Sequence, residues 1–239
     1  MTGRVHTMAL VLSLALAAAA LAQTTSEPPV DPAVVARADK LLAAHAEQSR
    51  GVKVLVASYV QRRTTTLSKE PLVSRGEFLF VREPACVVFR ATTPRVSVVR
   101  LLATTYEVWR PQRKQLERFQ LEGPELAQGL FAAIGGDVER LRRDFTVRGC
   151  DDDPTDAART RIRLVPRAAN VRERLQELIV TVRSKDGGLC AVAYRDAGGD
   201  LVEIELHDPR RNPPDAPPAT LEVPKDTTIV EHAPPPKKT

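Results

Sequence analysis

The clearest strand pattern in the sequence lies in residues 175–207, which read LQELIVTVRSKDGGLCAVAYRDAGGDLVEIELH. Apolar and charged residues alternate here with a period of two, and the same alternation is present at Thr160–Val165. Such a pattern is typical of antiparallel strands with one face in the core and the other in water. The residues predicted to share the core face are Ile162, Leu164, Leu178, Val180, Val182, Val192, Val202, Ile204 and Leu206. The residues predicted to share the charged outer face are Arg161, Arg163, Glu177, Arg183, Arg195, Glu203 and Glu205.

Further strands are predicted towards both ends of the chain, since dense β-branched residues begin at Val52. The N-terminal strands are expected at Val52–Gln61, Gly76–Val81, Val87–Ala91, Val96–Leu101 and Thr105–Arg110. The C-terminal strands are expected at Asp144–Gly149, Thr160–Val165, Leu175–Val182, Leu189–Tyr194 and Leu201–His207, with Thr220–Val223 as a further short candidate. Both faces of the N-terminal strands are apolar, as Phe78 and Leu79 illustrate. We therefore expect both faces there to be covered or to line a cavity.

Two segments have a helical pattern instead. Asp31 can cap a helix that has Pro32 at its first position and ends near Ser49–Arg50. Residues 123–143 carry an apolar stripe at helical spacing, with a break at Gly135-Gly136. The sequence thus predicts a mainly β protein, an unclosed sheet or half-barrel of about ten antiparallel strands with an N-terminal helix and a short helical insert.

The first residues of the chain indicate export. Arg4 precedes an unbroken run of apolar and small residues, Met8–Ala20, and Ala20-Leu21-Ala22 is a small-x-small cleavage site. The run is shorter than the roughly 20 residues that span a bilayer. We therefore predict cleavage after Ala22 and a mature chain in the periplasm. The predicted divisions of the chain are a signal peptide at 1–22, a polar lead-in at 23–32, one domain at 33–231 and a disordered Pro- and Lys-rich tail at 232–239.

The three cysteines, Cys86, Cys150 and Cys190, would lie in an oxidising compartment after export. In the predicted strand order, two strands separate Cys150 from Cys190, which places them about 14 Å apart. That distance is too long for a disulfide bond. We therefore interpret the cysteines as small apolar residues of the core or the sheet edge rather than as a disulfide framework.

Composition and motifs point away from catalysis and nucleic-acid binding. The formal net charge is only +5, because 35 basic residues are interleaved with 30 acidic ones. A basic stretch at 161–174 has glutamates nearby and no aromatic platform, so no nucleic-acid partner is predicted. The sequence has no phosphate loop, nucleophile elbow or metal-binding His or Cys motif, so we predict no enzyme, no cofactor and no metal. Asp151–Asp153, followed by Pro154, is interpreted as a hairpin loop rather than a calcium site.

The order of several motifs resembles one known family. These motifs are Gly76–Phe80 with Pro84, Tyr106–Pro111 with Gln115, the helical insert, Leu164–Pro166, Leu178–Val182, Asp186-Gly187 and Asn212. From about Val34 to Val230 the chain is similar to the periplasmic outer-membrane lipoprotein carriers of the LolA type. The resemblance implies an unclosed half-barrel with helices as a lid over an apolar cavity. It also implies a monomeric carrier that takes the acyl chains of lipoproteins from an inner-membrane release complex to an outer-membrane acceptor.

The resemblance also implies which residues form the site. The cavity wall and lid are expected to contain Phe78, Phe80, Trp109, Phe119, Leu130, Phe131 and Ile134. Ordinary core packing is the alternative for the aromatic residues of the strands. Family members carry a basic residue directly before the proline that matches Pro84, where it helps to hold the lid closed. Here Glu83 takes that place, so the role is assigned to Arg82.

A second departure from the family pattern is Leu102-Ala103, which replaces an Asp-Gly turn. Both departures indicate a divergent relative, and two alternative functions stay open for the same fold. The first is a periplasmic lipid-binding sensor or regulatory module that binds a signalling protein. The second is a carrier of another amphiphile.

Overall fold

The structure, a computed structural model, describes residues 29–66, 68, 70–121 and 123–233. The predicted signal peptide, most of the polar lead-in and residues 234–239 of the predicted tail lie outside the described residues. Within those ranges, no helix is both long and apolar enough to cross a bilayer.

A single sheet dominates the described part of the chain. Its strands are β1 (Val54–Thr64), β2 (Leu72–Val81), β3 (Cys86–Thr93), β4 (Ser97–Leu101), β5 (Thr105–Arg110), β6 (Gln115–Gln120), β7 (Phe145–Asp153), β8 (Asp156–Pro166), β9 (Leu175–Arg183), β10 (Leu189–Asp196), β11 (Leu201–Arg211) and β12 (Thr228–His232). The helices are α1 (Pro32–Ser49), α2 (Glu125–Gly135), α3 (Val138–Asp144) and α4 (Ala169–Arg172), with a 3₁₀ turn at Pro111–Arg113.

The strands follow the order β12-β6-β5-β4-β3-β2-β1-β11-β10-β9-β8-β7 across the sheet. Neighbouring strands are antiparallel except for β12, which pairs with β6 in parallel. Because β12 and β7 are the two edges, the described sheet is not closed into a barrel. The predicted fold class, an unclosed half-barrel with an N-terminal helix and a short helical insert, is confirmed.

The alternation in the C-terminal strands sets the two faces of the sheet. Every residue predicted to share the core face there is buried in one cluster with residues of α1 and α2. The outer face carries cross-strand ion pairs, such as Arg159–Glu205 at 2.7 Å and Arg163–Glu177 at 3.7 Å. The face that carries the helices is called the inner face below.

Three sequence predictions for the strands are corrected by the structure. The described sheet has twelve strands rather than about ten. The extra strand β6 was not predicted, because its charged residues interrupt the apolar alternation. The C-terminal strand is Thr228–His232 and not Thr220–Val223, which has no regular structure. This last strand is parallel to its neighbour, so the sheet is not antiparallel throughout.

Residues 212–227, called the strap, cross the outer face of the N-terminal strands between β11 and β12. Beneath the strap lies a small apolar cluster of Val56, Leu79, Cys86 and Val88, against which Ala216 and Ala219 pack. Both faces of these strands were predicted to be apolar, and the structure gives each face a different environment. The outer face is covered by the strap, and the inner face lines a cavity.

Candidate binding cavity

A cavity of about 910 Å³ lies between helix α2 and the inner face of the sheet. Its volume is near the upper end of the roughly 300–1,000 Å³ that is typical of ligand pockets. Its apolar lining consists of Val87, Phe89, Ala91, Pro94, Val96, Val99, Leu101, Leu121, Leu126, Leu130, Ile134, Val202 and Ile204. Its polar lining consists of Tyr59, Gln61, Arg63, Ser74, Thr92, Arg95, Ser97, Tyr106, Arg110, Gln112, Arg113 and Tyr194.

The arginines of the lining and helix α2 lie towards opposite ends of the strands. At one end, α2 contributes the apolar side chains of Leu126, Leu130 and Ile134. At the other end lie the β3–β4 turn, which contains Arg95, and the 3₁₀ turn that contains Arg113. We call these the helix end and the arginine end. A molecule that fills the cavity therefore meets apolar walls at one end and cationic side chains at the other.

All three tyrosines of the chain, Tyr59, Tyr106 and Tyr194, line this cavity. Burial raises the pKa of each phenol, and it raises the pKa of Tyr194 to about 12. The three hydroxyls therefore stay protonated at neutral pH. They can donate hydrogen bonds to a bound molecule from the cavity wall.

The arginine end carries positive charge that the cavity lining does not neutralise. Arg63 and Arg110 each form an ion pair with a carboxylate outside the lining. Arg95 and Arg113 are exposed and form no hydrogen bond or ion pair with another described residue. Among the described residues, no aspartate or glutamate lines the cavity.

Helix α2 is held over the cavity by two polar contacts. The buried His45 of α1 donates from Nε2 to the carbonyl oxygen of Ala133 at 2.8 Å. Arg82, directly after β2, donates to the carbonyl oxygens of Val52, Ser49 and Gly135 at 2.7, 3.1 and 2.8 Å. Arg82 thus joins the C-terminal ends of α1 and α2 to the sheet, and its positive charge is favourable beside these helix ends.

The structure brings only part of the predicted site together. Leu130 and Ile134 line the cavity. Phe131, on the same helix, is buried in the core. Phe78 and Phe80 are also core residues: Phe78 packs edge-on against Phe89 with 5.4 Å between ring centroids, and Phe80 contacts the end of α2. For these three phenylalanines the structure shows core packing, while Phe89 supplies the aromatic ring of the wall.

Trp109 and Phe119 do not line the cavity either. Tyr106 and Arg110 of the same strand do, so Trp109, at an odd spacing from both, lies on the outer face. Trp109 is buried there opposite Leu116 and Val98. Phe119 stacks on His232 of β12, with 4.2 Å between ring centroids, and lies at the edge of the inner face.

Most of the polar lining was not predicted from the sequence. It comes from turns and strand ends that are far apart in the chain, such as Arg63, Arg95 and Arg113. One signal was available for Tyr194, because it stands on a strand whose core face could be assigned from the alternation that includes Val192. The arginines gave no such signal, because arginine is scattered over the whole chain.

The described residues contain no group of three or more His, Cys, Asp or Glu side chains placed to hold a metal ion. Asp152 forms an ion pair with Arg37 of α1 and Asp153 accepts from the Thr155 hydroxyl at 2.6 Å, so both carboxylates have protein partners. The three cysteines are buried and unpaired. Burial raises the pKa of each thiol, which keeps these cysteines protonated.

Several solved structures are similar to this chain. An uncharacterized conserved protein from Thermus thermophilus is 12% identical, with a TM-score of 0.45 over 82% of this chain and 99% of that chain. A LolA superfamily protein from Nitrosomonas europaea is 15% identical, with a TM-score of 0.38 over 75% of this chain and 94% of that chain. The lipoprotein LppX of Mycobacterium tuberculosis is 13% identical, with a TM-score of 0.40 over 73% of this chain and 97% of that chain.

The LolA superfamily, which the motifs of the sequence resemble, is thus among the similar structures. No family model and no curated protein sequence matches the chain.

Proposed function

We propose that the mature chain is a periplasmic carrier, and not an enzyme, that holds the acyl chains of lipoproteins in its cavity. It would take them from an inner-membrane release complex and hand them to an outer-membrane acceptor. The observation that supports this proposal is the apolar helix end of a cavity of about 910 Å³. Acyl chains need a concave apolar wall, and burying them there removes apolar surface from water.

A carrier must also release what it binds. Helix α2 covers the cavity with Leu126, Leu130 and Ile134, while its other side chains, such as Phe131, pack in the core. His45 and Arg82 hydrogen-bond to the carbonyl oxygens of its last turn. In this proposal α2 is the cover that moves when cargo enters and leaves, and its movement breaks the hydrogen bonds of His45 and Arg82.

The test is binding of a synthetic triacylated lipopeptide to the purified mature chain, with the same peptide lacking its acyl chains as the reference. Val99→Trp would project a large ring from β4 into the cavity and narrow it, because Val99 lines it. Ser58→Trp is the matched control, since it places the same ring on the exposed side of β1. We expect the wild type and the Ser58 variant to bind the lipopeptide and the folded Val99 variant to lose binding.

Equal binding by a folded Val99→Trp variant would show that the cavity is not the site. Equal binding of the peptide without acyl chains would show that the chains are not what is recognised. Either result would overturn the proposal. Thermal unfolding of both variants establishes that each is folded before binding is compared.

A further inference from the structure

The arginine end of the cavity has a property that binding of acyl chains does not require. An acyl chain carries no charge, yet Arg63, Arg95, Arg110 and Arg113 all line the same cavity. Asp200 pairs with Arg63 at 2.8 Å and Glu117 pairs with Arg110, which leaves the charges of Arg95 and Arg113 without a partner among the described residues.

We infer that the cargo is an amphiphile with an anionic polar end, held by Arg95 and Arg113 while its acyl chains lie at the helix end. This inference rests on the proposed function, because it assigns the polar end of the same cargo. The planar guanidinium presents several N–H donors in a fork that fits the oxygens of a phosphate or carboxylate.

The placement of the two arginines supports this assignment. Arg95 is in the β3–β4 turn and Arg113 is in the turn between β5 and β6, and antiparallel pairing brings both turns to the same end of the sheet. Both are exposed, so their charges are available to a headgroup that remains at the solvent boundary. The neutral Gln112 and Ser97 lie beside them and add no negative charge.

The tyrosines occupy the region between the two ends and complete the match to an amphiphile. Tyr106 lies on the same strand and the same face as Arg110, and the charges of Arg110 and Arg63 lower the pKa of this phenol against the larger effect of burial. Tyr194 pairs with Val202 of β11, and Val202 pairs in turn with Arg63 of β1. Protonated phenols at this level can donate to the ester or amide carbonyl oxygens that join acyl chains to a headgroup.

An anionic polar end can come from two sources. In a lipid it is the phosphate of the headgroup, and in a lipoprotein it is an acidic residue that follows the acylated cysteine. Two pairs of probes distinguish these sources. One pair is lysophosphatidylglycerol and lysophosphatidylcholine with the same acyl chain, used as monomers. The other pair is an acylated lipopeptide with aspartates after the cysteine and its counterpart with lysines.

We expect the wild type to prefer the anionic member of at least one pair by about tenfold at low salt, and the preference to fall as salt is added. Arg95→Gln combined with Arg113→Gln should abolish that preference. Arg143→Gln combined with Arg210→Gln removes the same net charge elsewhere on the surface, where Asp144 and Asp215 are the partners. This control should keep the preference.

The outcomes separate the two proposals. If no acylated probe binds, the proposed function fails. If acylated probes bind without regard to charge, or if the Arg95 and Arg113 double variant keeps the full preference, the anionic cargo is excluded while the carrier remains. A preference found only in the lysolipid pair identifies a lipid headgroup as the anionic end. A preference found only in the lipopeptide pair identifies an acidic segment of a lipoprotein.

Discussion

The Arg82 guanidinium donates a hydrogen bond to the carbonyl oxygen of Gly135, with 2.8 Å between Nη2 and the oxygen. The same side chain donates to Ser49 and Val52. The residue directly after β2 therefore holds the last turn of α2, the last turn of α1 and the short segment that precedes β1. Two of its three acceptors are carbonyl oxygens at helix ends, and the third, that of Val52, lies between α1 and β1.

We expect Arg82→Gln to loosen α2 without unfolding the sheet. Loss of hydrogen bonds from a charged donor should lower the free energy of unfolding by roughly 2 kcal/mol. Amide exchange should accelerate in residues 125–135 more than in β9 or β10, as measured by hydrogen–deuterium exchange. Arg62→Gln is the control, since Arg62 contacts Glu205 on the exposed outer face. Uniform acceleration across the sheet, or none in α2, would contradict the role of Arg82 as an anchor of this helix.

The buried His45 should make stability depend on pH. Burial lowers the pKa of His45 below its ordinary value, and the charge of Arg211 lowers it further. The unfolded chain therefore binds a proton more readily than the folded one, so the contribution of neutral His45 is fully present above about pH 6.5. It is lost progressively as the pH falls from there towards the lowered pKa of the folded state.

His45→Gln keeps an N–H donor for the Ala133 carbonyl but cannot be protonated. We expect the wild type to lose more stability than this variant between neutral and mildly acidic pH, measured by urea unfolding at a series of pH values. Parallel curves for the two proteins would show that His45 does not titrate in this window. The carboxylates also change stability with pH, but they do so equally in both proteins. The difference between the two curves therefore reports His45 alone.

Two glycines with nearly the same backbone angle provide a matched pair. Gly187 has φ +73° and Gly51 has φ +71°, so alanine is strained at either position. A Cβ at Gly187 would lie 2.5 Å from the backbone nitrogen of His45, whereas a Cβ at Gly51 meets no atom within 4 Å. We expect Gly51→Ala to cost about 1 kcal/mol from the backbone angle alone.

Gly187→Ala should cost clearly more than Gly51→Ala, because helix α1 has to move away from the β9–β10 turn. Chemical denaturation of both variants measures the difference. The displacement should also weaken the contact between His45 and α2, so lipopeptide binding by Gly187→Ala is expected to fall. Equal destabilisation by the two variants would mean that α1 does not press against the turn as closely as the structure shows.

The parts of the fold that were predicted from the sequence are those fixed by local pattern. The alternation at Leu178–Val182 identified both its strand and its buried face, and the Asp31 cap marked the start of α1, where Asp31 accepts from the Ala33 amide at 2.8 Å. Strand β6 has no such alternation. Its charged residues pair with a neighbouring strand, since Arg118 contacts Glu107 of β5 at 3.0 Å. The sequence of β6 by itself does not reveal this pairing.

The candidate site was predicted less completely, because most of its residues come together through contacts between strands rather than through local pattern. The stripe on α2 gave Leu130 and Ile134, because helical spacing fixes one face. The face of Trp109 depends on which side of its strand is inner, and two apolar faces left that undecided. Residues such as Arg95 and Arg113 become neighbours only through the strand order, which a single sequence does not state.

The strap is joined to the start of β1 by Asn212, whose side chain makes three hydrogen bonds. Oδ1 accepts from the amides of Lys53 and Val54 at 2.7 and 3.0 Å, and Nδ2 donates to the Gly51 carbonyl at 2.9 Å. Asn212 also has φ +47°, a conformation that asparagine tolerates better than alanine does. This residue therefore fixes the direction in which the chain leaves β11 to cover the outer cluster.

We expect Asn212→Ala to destabilise the protein by roughly 2 to 4 kcal/mol, from the lost hydrogen bonds and the strained angle together. Asn212→Gly removes the same bonds but permits the angle, so its smaller cost isolates the hydrogen bonds. Asn170→Ala, at an exposed position in α4, is the control and should change stability little. Urea unfolding measures all three variants. If Asn212→Ala and Asn170→Ala were equally stable, the Asn212 side chain would not be what holds the strap, and Ala216 and Ala219 would be the residues to replace next.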